Sequence, residues 1–149
     1  MQTKIAGFLT ANESFRLQDL SLLVMRILFG LSMMLQHGLS NLRGFSEYAD
    51  KYHDPIGLGS RNSMILMIFA EFFCAIAVSI GLLTRFALVP LIFGLSVAFF
   101  VYHASHPFEH KELAYLYLSA FLVLLLSGPG RFSADALIFG KEKKGEFEK

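Results

Sequence analysis

Four long apolar runs, at residues 20–36, 64–83, 86–102 and 113–126, constrain this chain more than any other feature. The second reads MILMIFAEFFCAIAVSIGLL and carries one charged residue, Glu71. At about 1.5 Å of rise per residue, a helix of some twenty residues crosses the roughly 30 Å hydrocarbon layer of a bilayer. Hydrophobic residues make up 54% of the chain, sixteen of them Phe, and mean hydropathy is +0.53, a balance that disfavours a water-soluble helical bundle. The predicted fold is all-α: an integral membrane, antiparallel four-helix bundle with spans at about 20–37, 63–83, 86–104 and 112–127. Residues 1–19 form a cytoplasmic N-terminal segment, 20–127 the four-span domain, and 128–149 an interfacial turn followed by a basic tail.

Orientation follows from charge. The first run is long for a signal-peptide core and no A-x-A pattern follows Leu39, so it is expected to be retained as an anchor. Lys4, Arg16, Arg85, Arg131, Lys141, Lys143, Lys144 and Lys149 fall on one side, against Arg43, Lys51, Arg61 and Lys111 on the other. By the positive-inside rule both termini are expected in the cytoplasm of a multi-pass protein. The net charge of +1 carries no information about nucleic acid, no basic stripe interleaved with aromatics suggests it, and no nucleic-acid partner is expected. Cys74 is the single cysteine, which excludes an internal disulfide or a C-x-x-C relay.

The connections are equally legible. GLLTRF at residues 81–86 makes a short hairpin that forces the second and third spans to be antiparallel neighbours. The loop at 38–62 is longer and contains DPIGLGS, rich in turn formers. SGPG at 127–130 stops the fourth span, and Ser133 is placed to cap a short amphipathic turn at 131–139 lying in the inner interface.

Ionisable groups in a span are costly and turn toward partners. Counted from the expected entry points, Arg26 lies roughly 9 Å along the first helix and Glu71 roughly 12 Å along the second, so an intramembrane ion pair is expected between them. Arg26, Gly30, Met33 and His37 share one helical stripe. On the third span Ser96 and His103, and on the fourth Glu112, Tyr115 and Ser119, are spaced to point inward. A ligand pocket is therefore expected in the outer half, lined by His37, Glu71, His103 and Tyr115. All five histidines (His37, His53, His103, His106 and His110) fall at the outer ends of spans. His103, His106 and His110 have spacings a metal could use, but Pro107 interrupts them, so no metal site is expected and that triplet is the weak alternative.

An Arg in the first span ahead of MLQHG (34–38), Ala-Glu in the second, GLLTR (81–85) at the hairpin, a His ending the third and GPGRFSAD (128–135) after the fourth together resemble the DoxX family of small four-helix bacterial membrane proteins. The resemblance covers residues 19–135 and implies residence in the bacterial inner membrane. It also implies a redox-associated role on the quinone side of a membrane assembly, with a redox protein partner and quinone as an external cofactor. The chain carries no haem C-x-x-C-H, no iron–sulfur cysteine set and no GxGxxG after a strand, so it holds no electron carrier of its own and no catalytic residue is assigned. An enzymatic role would be that of an accessory subunit in a quinone-linked oxidoreductase. The first reading is thus a subunit binding a quinone-like or other amphipathic ligand. The second is a non-enzymatic scaffold that docks partners through residues 38–62 and the basic tail. A small proton-coupled transporter is a third, and would require a homo-oligomer to complete a path.

Overall fold

A computed structural model describes residues 15–140, all of its regular elements helical. Four helices are long and apolar enough to cross a membrane: α1 (Leu17–Arg43), α3 (Ser60–Ile80), α4 (Thr84–Tyr102) and α5 (Phe108–Ser127). Two short α-helices, α2 (Phe45–Tyr48) and α6 (Ala134–Phe139), and a single 3-10 turn at Ala49–Lys51 complete the described elements. Residues 1–14 of the N-terminal segment, and residues 141–149 with their lysines, lie outside the described residues.

α1 runs past His37 to Arg43, where Gly44 ends it. What reads as a long loop from residue 38 is thus helical at its start. At the other end of the bundle α5 begins at Phe108, because the extended backbone of Pro107 starts the helix earlier than the apolar run does. Met33, Ala75, Val78, Leu88, Leu91, Phe121 and Leu124 are buried and join all four spans in one core. A smaller cluster of Ala49, Met64 and Ile68, with Phe45 and Tyr52 against it, seats the α2 region on the start of α3. Phe73, Phe86, Phe93, Phe100 and Leu126 are exposed on the outside. In water such a surface would aggregate; in a bilayer it faces a solvent as apolar as itself.

The relative level of α1 and α3 is set by small residues. A Cβ on Gly38 would collide with the Glu71 carbonyl group, and one on Gly30 would stand 2.9 Å from the Ala75 carbonyl oxygen. These positions let the two backbones touch. Gly81, at φ +74°, ends α3 in a left-handed turn that only glycine adopts without strain, and packs directly on the Arg26 guanidinium. Wide i→i+5 turns recur at Arg26–Gly30, Met34–Gly38, Phe69–Cys74 and Ala98–Tyr102. Arg26, His37, Glu71 and Tyr102 all fall in them.

The segment after α5 folds back under the bundle. Ser133 caps α6 as its sequence predicts, accepting the Ala136 amide at 3.1 Å while its own hydroxyl donates to the Gly130 carbonyl at 2.6 Å. The amide of Arg131 donates to the Asp19 carboxylate at 2.8 Å, and that of Asp135 to the Gly81 carbonyl at 2.8 Å. The start of α1, the α3–α4 hairpin and α6 are therefore one hydrogen-bonded layer at the hairpin end of the bundle.

Candidate functional site

Arg26 and Glu71 do not meet. Arg26 is fully buried and donates to the Phe132 carbonyl, with Asp135 the acidic group acting on it. Glu71 is buried beside Gly38 and accepts the Asn41 amide at 2.8 Å. The expected ion pair fails because the close approach of Gly38, Gly30 and Gly81 sets the helix levels. Arg26 lies level with Gly81, ten residues beyond Glu71 on α3, or roughly 15 Å along the axis.

Glu71 instead belongs to a polar layer with Asn41 and Tyr52, on the side of Arg26 away from the α3–α4 hairpin. The chain after α2 brings Tyr52 over Asn41 and Glu71, and the Tyr52 hydroxyl is pushed up to about 12 by burial and then by the charge of Glu71, with its bond to Asn41 acting in the opposite sense. Next to it lies a cavity of about 330 Å³ between α3 and α4. Its α3 wall is Ser63, Met67 and Ala70, and its α4 wall is Pro90, Gly94 and Ala98, at i, i+4 and i+8. These small α4 side chains leave the space, and Leu66, Phe69 and Phe93, about half exposed, border it toward the lipid.

Residues 52–58 form the roof. Asp54 folds it, accepting the Leu58 and Gly59 amides at 2.9 and 2.7 Å and the Ser63 hydroxyl at 2.9 Å. These bonds, led by that from Gly59, hold its carboxyl below the usual aspartate range. The His53 ring nitrogen and the Tyr102 hydroxyl share a hydrogen bond of 2.9 Å, which ties the roof to the end of α4. Tyr52, His53 and Tyr102, with Ser63 whose hydroxyl is bonded to Asp54, are thus the polar groups at the roof end of a mostly apolar cleft that no charged side chain lines.

None of His37, Glu71, His103 and Tyr115 lines this cavity, and the four do not converge on one another. His37 turns onto the Tyr117 ring of α5, edge to face at 5.9 Å. Tyr115 is exposed against Phe99 and Phe108, so it lies on the outside of the bundle. Glu112 is exposed too, and the Ser96 hydroxyl is spent on the Ile92 carbonyl of its own helix. The His103 ring meets that of Tyr102 edge to face at the rim, where burial and then the neighbouring His106, His110 and Lys111 hold its pKa below the usual histidine range. The rings of His103, His106 and His110 follow one another at 5.2 and 5.8 Å between centroids instead of facing one point, because Pro107 breaks the helix between them. Among the described residues no three His, Cys, Asp or Glu side chains gather as a metal site. Asn41, Tyr52 and Tyr102 are not singled out by the sequence, and His53 is marked there only as one of the five histidines. The stripe of Pro90, Gly94 and Ala98 running up to Tyr102 is the signal that points to this cleft.

A four-span helical bundle with one end laced by hydrogen bonds and a roofed cleft toward the other defines a multi-pass membrane protein. The DoxX family model matches residues 21–104, more than half of the chain, and the chain belongs to the DoxX family. No curated protein and no solved structure matches it.

Proposed function

We propose that this DoxX protein is a membrane subunit that binds a neutral amphipathic ligand of quinone-like chemistry in the cleft between α3 and α4. The cleft carries the reading: an apolar volume of about 330 Å³ with its phenol and imidazole groups at one end suits a molecule with an apolar body and one or two hydrogen-bond-accepting oxygens. The lack of a lining charge favours a neutral head group over a phosphate. Tyr52, His53 and Tyr102 would orient that head group. Electron transfer would fall to a redox partner protein, since the chain has no carrier of its own. The Lys and Arg asymmetry supports both termini in the cytoplasm, and membership of the DoxX family supports a bacterial inner membrane; the cleft would then lie in the outer leaflet.

Mass spectrometry of small molecules released from gently purified protein tests this directly. A neutral isoprenoid or quinone-type compound is expected from the wild type and should be lost from Gly94→Val, which fills the cleft, with folding intact. Release of phospholipid alone, equal in both proteins, together with a stably bound protein partner, would instead favour the scaffold reading.

A further inference from the structure

Glu71 lies near the middle of α3 and is 8% exposed. Its carboxylate has one hydrogen-bond donor, Asn41, and no Lys or Arg among the described residues stands within ion-pair reach. Arg26 is at the hairpin end, Arg61 is engaged by Asp50 at 3.0 Å, and Lys111 lies over the Phe99 ring at 5.2 Å. The other titratable groups facing this layer are Tyr52 from the roof and, beyond it, Tyr102 with His53 from α4 and the roof; His37 on α1 turns away onto Tyr117 on α5. A carboxyl group taken out of water keeps its charge only if opposite charge or several donors return the lost hydration, and one amide does not do so alone.

We propose that Glu71 is a proton-binding site, a carboxyl group that takes up and releases one proton within the membrane, with Asn41 holding the ionised form and Tyr52 linking it to the cleft. On uptake a proton from the outer water, or from a protic head group in the cleft, bonds to a Glu71 carboxylate oxygen. On release that O–H bond breaks and the proton returns the same way, leaving the Asn41 amide bonded to the carboxylate. No redox change is involved, and the site stands whether or not the cleft holds a quinone. A buried carboxylate with a permanent partner would be an anchor; one without a counter-charge is free to titrate.

Dicyclohexylcarbodiimide, which adds a protonated carboxyl group across its C=N bond and spares carboxylates, tests this on the full-length protein in lipid vesicles. Peptide mass spectrometry is expected to find a stable adduct on Glu71 whose yield falls by at least about tenfold between about pH 5 and about pH 9. No adduct on Glu71 at any pH, or a yield independent of pH, would overturn the proposal. The labelling needs no variant, so misfolding of a substituted protein cannot obscure it. In Asn41→Leu the midpoint of labelling is expected to move upward by about one pH unit, because the ionised form loses its donor. An unchanged midpoint would remove Asn41 from the site.

Discussion

The carboxylate of Asp135 accepts the backbone amide of Leu83 at 2.6 Å, across 52 residues of sequence, and that of Thr84 at 2.9 Å. Leu83 has φ +44°, a left-handed conformation that places its Cβ against its own carbonyl and that leucine seldom adopts. Thr84 opens α4, whose first amides have no partner inside the helix. One side chain from beyond the last span therefore satisfies the exposed helix start and holds the strained residue before it. This makes the GPGRFSAD segment part of the bundle and gives the hairpin its fixed shape.

Asp135→Ala should lower stability in detergent by about 2–3 kcal/mol, as expected for hydrogen bonds to a charged group. Leu83→Gly in that background should recover about 1 kcal/mol, because glycine adopts the left-handed turn freely. Thermal unfolding of the three proteins checks both values. A wild-type midpoint for Asp135→Ala would show that the cap contributes nothing.

Arg26→Met and Glu71→Met should be independent. The two sites lie roughly 15 Å apart along the bundle and share no partner, so the double variant should equal the sum of the singles within about 0.5 kcal/mol. Arg26→Met and Asp135→Ala, in contrast, act on the one layer at the hairpin end and should be non-additive. A double-mutant cycle in denaturant would expose the reverse pattern.

Gly38→Ala should destabilise by about 1–3 kcal/mol, because its new methyl meets the Glu71 backbone, which cannot turn aside. Gly94→Ala meets only the flexible Met67 side chain, at 3.2 Å from its sulfur, and should cost less than about 1 kcal/mol. Equal losses at the two glycines would contradict the close α1–α3 approach at Gly38.

The roof should loosen in acid. Hydrogen bonds from Gly59, Ser63 and Leu58 depress the Asp54 carboxyl, so its contribution is complete above the unfolded aspartate value of about 4. It is lost as pH falls through the lower folded value. Hydrogen exchange at the Leu58 and Gly59 amides should therefore speed up below about pH 4 relative to the intrinsic rate, and in Asp54→Ala that acid-dependent step should be absent.

What the sequence by itself determined was whatever depends on local pattern. Run length and apolar content mark four spans, two residues between apolar runs force the α3–α4 hairpin, Ser133 announces its cap, and the ordered motifs from Arg26 to Asp135 identify the family. These follow from interactions a few residues long or from the bilayer as solvent. Only the tertiary structure decided which polar groups meet. Arg26 and Glu71 match in charge and in approximate depth, yet backbone contact at Gly38, Gly30 and Gly81 slides α1 along α3 until Arg26 faces the hairpin and Glu71 faces Asn41. In the same way Tyr52 and His53 look like solvent-side loop residues until Asp54 folds the roof down onto the cleft. Axial level and loop closure are set by close packing summed over many residues, and a shift of one or two helical turns exchanges every long-range partner while leaving each local pattern unchanged.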